Sequence, residues 1–193
     1  MSETAKKNRY HSKLKCCYYA KATYDETANK INYAAPVRIK DSVAISLSKK
    51  GDPIIVRVDG REDFLGNDKQ GYDGDLEALR FPESFETDCL GDTKNTDGTI
   101  DEFDNLDGSP FALLFEFEGD KKAVRHCLYW CYATNPNIEG DNPDNKEPKN
   151  EKVAIYSRPR PTDGKIKTKT GDSITDEAYN SWYTDVPDQT VSE

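Results

Sequence analysis

The chain has 193 residues, with 27 Lys and Arg against 36 Asp and Glu, so its formal net charge is −9. This length is sufficient for one globular domain with a hydrophobic core of its own. The acidic balance excludes a protein that coats nucleic acid through a basic surface, and equally one that docks on anionic lipid. Only 35% of the residues are hydrophobic, but 11 Tyr, 7 Phe and 2 Trp are too many aromatic residues for a disordered chain.

Neither an export signal nor a membrane span is apparent in the sequence. The first ten residues are mostly polar, and no apolar run approaches the roughly 20 residues that a spanning helix needs. The five cysteines form an odd number without a regular spacing, which indicates free thiols. We therefore expect a single domain over 1–193, made in a cytoplasm, with a polar N-terminal arm (1–12).

Alternation with a period of two dominates the next part of the chain. Apolar side chains recur at every second position over 37–47, which predicts a half-buried strand that is broken only at Asp41. After a short turn, the run 53–59 predicts a second strand, and we expect these two strands to pair as a hairpin. Residues 59–74 combine several glycines with charged residues, which predicts a mobile loop before strand structure returns over 75–81.

Apolar residues at helical rather than alternating spacing predict a short helix over 82–91. Pro82 suits the first turn of a helix, where its missing N–H group costs nothing. Phe85 and Cys89 share one face at helical spacing, and Gly91 favours the left-handed conformation that ends a helix.

The strongest strand pattern lies in the second half of the chain. Segments 111–118 and 124–133 alternate strictly and are separated by a tight turn, so a hairpin is expected. Residues 153–160 predict a further strand, and Pro159 and Pro161 indicate either a sheet edge or the end of the strand. A C-terminal helix is predicted from Thr175, a capping residue, through an apolar stripe that ends before Pro187. The expected fold is mainly β: an antiparallel β-sandwich or open barrel with one or two short flanking α-helices.

Candidates for catalysis or metal binding are few. His126 and Cys127 are neighbours in a predicted strand and therefore point to opposite faces, which argues against a thiol dyad or a zinc site that includes Cys131. His11 lies in the polar arm, where we expect it to be solvated. Glu116 and Glu118 resemble a glycosidase pair, but a solvent-facing position is the simpler interpretation. No catalytic, cofactor or metal site is predicted.

Acidic and basic runs leave further alternatives open. A cluster of carboxylates offers oxygen ligands for Ca²⁺ without the spacing of a calcium-binding loop. Its members are Asp97, Asp101, Glu102, Asp104 and Asp107. Exposed strand edges are templates for pairing with another chain, whereas the lysine row Lys165, Lys167 and Lys169 is typical of an edge protected against such pairing.

Several blocks in roughly the last two-thirds of the chain share their order and spacing with a known family. They are FPESF at 81–85, CLG at 89–91, PFALLFEFEGDKKA at 110–123, RHCLY at 125–129, AT at 133–134, RPR at 158–160, KTGD at 169–172 and AYNSWY at 178–183. In these blocks the chain resembles the major tail proteins (tail tube proteins) of long-tailed, siphovirus-type bacteriophages and prophages of Gram-positive bacteria. The N-terminal third is similar in its strand pattern only.

The resemblance implies a structural virion protein rather than an enzyme, with no cofactor. Such subunits self-assemble into hexameric rings that stack into a tail tube around a tape-measure protein, with tail tip and terminator proteins as further partners. DNA later passes through the lumen without specific binding, and no membrane is involved. The implied location is the virion tail, after assembly in the host bacterial cytoplasm.

The resemblance also implies that the loop 59–74 contacts the next subunit or ring. The implied interface residues are Asp59, Gly60, Arg61, Phe64, Leu65, Gly66, Gly71 and Tyr72. The sheet face that lines the bore is expected to be acidic or neutral, with the lysine row turned elsewhere.

The alternative function is a carbohydrate- or host-surface-binding β-sandwich module. Its stacking platform would consist of Tyr129, Trp130 and Tyr132, or of Tyr179, Trp182 and Tyr183. Aromatic residues in strands and amphipathic helices are more often part of the core, which is the interpretation we favour.

Overall fold

The computed structural model describes residues 10–104, 108–119, 121–140 and 149–188. These residues form a mainly β protein of antiparallel strands with two short helices, which confirms the predicted fold class. Most of the predicted N-terminal arm (1–12) lies outside the described residues.

The element bounds follow the sequence pattern closely in the second half of the chain and less closely in the first. The strands are β1 His11–Asp25, β2 Lys30–Tyr33, β3 Val37–Ile39, β4 Ser42–Lys50, β5 Pro53–Val58, β6 Arg61–Asn67, β7 Gly71–Ala78, β8 Thr93–Lys94, β9 Ile100–Asp101, β10 Phe111–Gly119, β11 Val124–Ala133, β12 Glu151–Ser157 and β13 Lys167–Lys169. The helices are α1 Glu83–Phe85, which continues into a π-helical turn over Glu86–Leu90, and α2 Asp176–Asn180.

The main sheet curls because two of its strands change partners along their length. Its order is β2–β1–β10–β11–β12–β7–β4, with β3 added to β1 and β13 added to β11. Strand β1 pairs with β10 and β3 along its first part and with β2 at its end, whereas β11 pairs first with β13 and then with β12. The sheet brings β4 back beside β1, which produces an open barrel.

The barrel interior holds the main hydrophobic core. Phe85, at the end of α1, is fully buried and its ring packs edge-on against Tyr19 (centroids 5.2 Å apart) and Phe111 (5.4 Å). Gly91 ends the helical segment with φ +91°, as predicted. The helical segment thereby closes the end of the barrel at which β10 begins.

A second core lies on the outer face of β10 and β11. Ala112, Leu114 and Tyr129 are buried there beneath the C-terminal segment, in which Trp182 is 5% exposed. The Thr175 hydroxyl accepts a hydrogen bond from the N–H group of Ala178 (3.3 Å), which confirms the predicted cap of α2. The helix ends at Asn180 rather than just before Pro187, and the turn that follows it carries Trp182, Tyr183 and Val186 onto the sheet.

The predicted strict alternation along β11 is wrong at one point. Phe111 pairs with Cys131 but Leu113 pairs with Leu128, so two residues of β11 oppose one of β10 in a β-bulge. Beyond the bulge, alternate side chains of β11 point to the opposite face from the one that strict alternation predicts. Cys127 lies in the outer core, whereas Cys131 lies in the barrel interior. The two cysteines are therefore on opposite faces, whereas the strict alternation predicted over 124–133 would place them on the same face.

The break at Asp41 is confirmed, because this residue has φ +54° between β3 and β4. The single apolar face predicted over 37–47 is not kept. Val37 and Val43 are exposed, whereas Ile39 lies in the core. The turn and a register shift at the start of β4 change the phase of the side chains.

Two predictions about strand partners and loops are wrong. β4 pairs with β7 rather than with β5, and β5 pairs with β6. The segment 59–74, expected as a loop, contains β6 and the start of β7. β12 lies between β11 and β7 rather than at an edge, although it does end at Ser157, just before the prolines, as the alternative prediction had it.

Glu116 does not face water, contrary to expectation. Its side chain is buried beside Arg125, whose Nε lies 2.6 Å from a Glu116 carboxylate oxygen, and the Tyr183 hydroxyl donates to the same oxygen at 3.2 Å. A buried carboxylate requires such partners. This group therefore attaches the C-terminal segment to the sheet rather than forming a catalytic pair with the exposed Glu118.

Arg160 forms a second attachment of the C-terminal segment. Its guanidinium group donates to both carboxylate oxygens of Asp163 (2.5 and 2.6 Å) and of Asp188 (both 2.9 Å). The Tyr129 hydroxyl donates to the Pro187 carbonyl oxygen at 2.6 Å. The hydrogen bonds from Arg160 lower the pKa of Asp163 from 3.8 to about 2.

Replacing Phe85 with Ala should lower the free energy of unfolding by about 3–5 kcal/mol, because the ring is fully buried and the site cannot collapse. Phe64→Ala serves as the matched control, since that side chain is 59% exposed and its loss should change stability by no more than about 0.5 kcal/mol. Urea denaturation of both variants measures the difference. Equal losses would show that Phe85 is not a core residue.

The Asp163→Asn variant should lose stability in a pH-dependent way. Because the pKa is lower in the folded protein, the carboxylate stabilises the fold above about pH 4, and this contribution disappears as the pH falls towards 2. At pH 7 we expect a loss of at most about 1 kcal/mol, since Asp163 is half-exposed and solvent screens the pair. Urea denaturation at pH 7 and pH 2.5 tests this, and a loss of equal size at both values would contradict it.

Candidate functional site

Strands β5 and β6 form a two-stranded arm (53–67) outside the main sheet. The arm continues β4 and β7 as one long hairpin, since the N–H group of Asp68 donates to the carbonyl oxygen of Asp52 at 3.0 Å and that of Gln70 to Lys50 at 3.1 Å. Its strands pair with each other from Pro53 opposite Asn67 to the tip. The hydrogen-bonded pairing of β4 and β7 therefore continues into the arm, which projects outward from the barrel.

The tip of the arm is a two-residue turn. Val58 pairs with Arg61, and the residues between them, Asp59 and Gly60, have φ values of +52° and +78°. Positive φ at both central positions is the geometry that matches the twist of paired strands, and Asp-Gly is a favoured sequence for it. This dipeptide is the signal that identifies the arm, and the interpretation of 59–74 as a loop missed it.

Large apolar side chains are exposed on both faces of the arm. Ile55 pairs directly with Phe64 and so shares a face with it, whereas Val56 lies on the other face. The exposed fractions are 49% for Ile54, 54% for Ile55, 38% for Val56, 59% for Phe64 and 67% for Leu65. A concentrated exposed apolar surface of this kind marks an interaction site.

Two of the predicted interface residues lie at the foot of the arm, in the barrel. Gly71 is buried with φ +121°, and a Cβ atom there would lie 1.9 Å from the carbonyl oxygen of Ser157. Tyr72 is half-buried, and its hydroxyl accepts a hydrogen bond from Nζ of Lys167 at 2.8 Å. Gly71 therefore allows close packing of β7 on β12, and Tyr72 belongs to the barrel wall.

The structure thus divides the predicted interface into two groups. Asp59, Gly60, Arg61, Phe64, Leu65 and Gly66 lie together on the arm, and Gly71 and Tyr72 lie at its foot. Residues 54–56, on the facing strand, were absent from the predicted interface although they are as exposed as the predicted residues. They can be found from the sequence only when the Asp-Gly turn is recognised and their strand is paired across it.

The aromatic platforms of the alternative function are largely inaccessible. Tyr129, Trp130 and Trp182 are buried, with exposed fractions of 0%, 8% and 5%. The Tyr179 ring is covered by the Arg125 guanidinium group at 3.7 Å. A sugar could not stack on these buried or covered rings without displacing the side chains packed against them.

The buried thiols and the His126 ring are packed into the fold. The His126 ring stacks on Phe115 at 5.1 Å on the barrel side of the strand, whereas Cys127 lies in the outer core. Burial raises the pKa of Cys17 and Cys131 to about 12 in each case, so neither is a ready nucleophile. In the part of the chain that the structure describes, no three His, Cys, Asp or Glu side chains could hold a metal ion. Asp107 and the side chain of His11 lie outside that part.

No protein-family model matches the chain, and a search of curated proteins finds no match. Among the described residues, no helix has the length and apolar character needed to cross a membrane.

The Gly60→Val variant should loosen the arm and leave the barrel intact. A β-branched residue strains a backbone with φ +78°, so we expect the opening free energy of the arm to fall by about 1–2 kcal/mol. Hydrogen exchange should then be faster at the amides of β5 and β6, with the melting temperature unchanged. Arg61→Val, at the next position, is the control and should leave exchange as in the original protein. Global destabilisation by Gly60→Val would show that the arm is part of the core.

Proposed function

We propose that the protein is a tail-tube subunit of a long-tailed, siphovirus-type bacteriophage or prophage, which self-assembles into hexameric rings that stack into the tail tube. The observation that carries the proposal is the arm, a hydrogen-bonded hairpin that continues β4 and β7 and exposes apolar side chains on both faces. The resemblance of the blocks between residues 81 and 183 to major tail proteins supports it independently.

The arm is suited to binding another copy of the chain. An isolated two-stranded hairpin is only marginally stable in water, so burial against a partner stabilises it. Its strands pair only with each other, which leaves backbone groups at its edges for β-augmentation. Because the arm and the surface that receives it are different parts of the molecule, the contact is heterologous, and repeated contacts of this type generate rings or filaments.

The charge distribution is compatible with a conduit for DNA. Asp73, Asp75 and Glu77 alternate along β7 with residues that face the core, so they share the outer face of that strand. Each of them forms an ion pair with a neighbouring cation (Lys50, Lys152 or Arg158), so this face is close to neutral. Lysines of the row 165–169 belong to β13 and its approach, beside β11. We propose that the β7 face, rather than the lysine row, is turned to the bore, so that DNA passes without being held.

The partners follow from this role. A tape-measure protein would occupy the bore during assembly, and tail tip and terminator proteins would bound the tube. Assembly would take place in the host bacterial cytoplasm, and the final location would be the virion tail. The role requires neither catalysis nor a cofactor.

Electron microscopy of the concentrated protein tests the proposal, and we expect it to show rings, or tubes built of stacked rings. Replacing 53–67 with Asn-Gly should give a folded protein that forms neither, because Asp52 and Asp68 are already adjacent (N to O 3.0 Å) and a two-residue turn can close the shortened hairpin.

The matched control is Gly60→Asn, since asparagine tolerates positive φ and keeps the arm. This variant should assemble normally. Normal tubes from the arm-replaced variant would contradict the role of the arm. A protein that stays dispersed when concentrated and binds a glycan array would favour the host-binding module.

A further inference from the structure

A cleft of about 360 Å³ opens into the barrel between β4 and the β10–β11 hairpin. Its walls are mostly apolar and half-buried, with Tyr72 and Lys167 at its mouth. The apolar wall residues are Ile45, Leu47, Phe115, Phe117 and Leu128. We call this surface the acceptor cleft. Its walls offer apolar area to a side chain that enters from solution.

The mouth of the acceptor cleft is basic, although the chain as a whole carries a net charge of −9. An adjoining recess of about 470 Å³ shares Tyr72 and Lys167 and adds Lys49 and Lys69. Lys167 is held in place by the Tyr72 hydroxyl (2.8 Å) and lies 4.5 Å from the centre of its ring. An apolar floor with a rim of three lysines fits an apolar side chain that is flanked by carboxylates.

The chain itself carries such a segment. Residues 101–104, the donor segment, read Asp-Glu-Phe-Asp, and Phe103 is 55% exposed between carboxylates. The carboxylate of Asp101 accepts a hydrogen bond from the Asn95 side chain at 2.8 Å, which anchors the start of the segment to the β8–β9 turn. Glu102 and Asp104 are exposed on either side of Phe103.

The arm matches the acceptor cleft less well than the donor segment does. It carries charges of both signs, since Arg57 pairs with Glu62 at 3.0 Å, and both Arg61 and Asp63 precede Phe64 in the sequence. The donor segment carries only carboxylates around its phenylalanine, so its charge is the more complementary to the lysine rim. The rim therefore favours the donor segment.

A molecule cannot fill its own acceptor cleft with its own donor segment. The donor segment follows β9, at the end of the barrel where β10 begins, since Ser109 bonds to Cys89 of the helical turn (3.1 Å). The cleft lies towards the other end of β10, at Phe115 and Phe117. Phe111 and Phe117 are separated by about 20 Å along the strand. Donor and acceptor therefore lie at opposite ends of the barrel.

We propose that the acceptor cleft binds the donor segment of a second copy of this chain, with Phe103 in the cleft and Glu102 and Asp104 against the lysine rim. Each copy uses one end as donor and the other as acceptor, so the contact is head-to-tail and repeats without limit. The inference rests on the proposed function only in taking the occupant to be a second copy, and it is separate from the contact made by the arm.

Charge reversal on each side tests the pairing. The acceptor variant is Lys49→Glu with Lys69→Glu, and the donor variant is Glu102→Lys with Asp104→Lys; all four positions are exposed, so the fold is preserved. Sedimentation velocity should show at least a tenfold weaker self-association for each variant alone. An equimolar mixture should restore it, because the reversed cleft attracts the reversed segment and the two unaltered surfaces attract each other. Lys30→Glu with Lys40→Glu, two exposed lysines away from the cleft, is the matched control and should associate as the original protein does.

A second variant, Phe103→Ser, tests the apolar part of the contact and should also weaken association at least tenfold. The inference would be overturned if the charge variants associated as strongly as the original protein. It would also be overturned if Phe64→Ser abolished association and Phe103→Ser did not, or if the original protein stayed monomeric when concentrated. Tubes that form normally from the charge variants would leave the proposed function standing and remove this contact. If the mixture of the two charge variants regained association but formed filaments without rings, this contact would be supported and the proposed function contradicted.

Discussion

Strand β10 is covered on both of its faces, and the rest of the structure is arranged around this double burial. No residue from Phe111 to Glu116 is more than 5% exposed. One set of its side chains fills the barrel and the alternate set lies beneath the C-terminal segment, while its backbone pairs with β1 and β11. A strand that is apolar on both faces is stable only when two layers cover it. The barrel supplies one layer and the C-terminal segment the other. Arg125 holds that segment by a hydrogen bond to the Tyr179 carbonyl oxygen, and Arg160 holds it by an ion pair with Asp188.

The arm presents the opposite situation, because it has backbone pairing without burial. Its hydrogen bonds are as regular as those of the barrel, but no layer covers either face. Since burial of apolar area provides most of the favourable free energy of folding, the arm contributes little to the stability of the free protein. The acceptor cleft and the donor segment also leave apolar surface uncovered, as an apolar recess and an exposed phenylalanine. These are the surfaces that the proposed self-assembly would bury.

The parts of the fold that could be predicted are those with local signals. The helical segment after Pro82, the β10–β11 hairpin and the cap at Thr175 depend on residues a few positions apart, and all are present. The partner of β4 and the interior position of β12 could not be predicted, since any antiparallel strand offers the same hydrogen bonds. The bulge opposite Ala112 and the buried ion pair of Glu116 depend on contacts across the sheet, which a pattern along one strand does not contain. Of the candidate site, most of the arm residues were within the predicted segment, but its facing strand was not.

The sequence by itself determined the strands of the β10–β11 hairpin, where both helices begin, and that the protein is mainly β, because alternation, caps and turn residues act over a few neighbouring positions. It also contained the turn at Asp59 and Gly60. Only the tertiary structure decided which strands pair, that the hairpin extends beyond the barrel as an arm, and that apolar surface remains uncovered on the arm and in the cleft. The physical reason is that exposure is a property of the whole packed chain: an apolar residue in a strand looks the same in sequence whether a second layer lies over it or not.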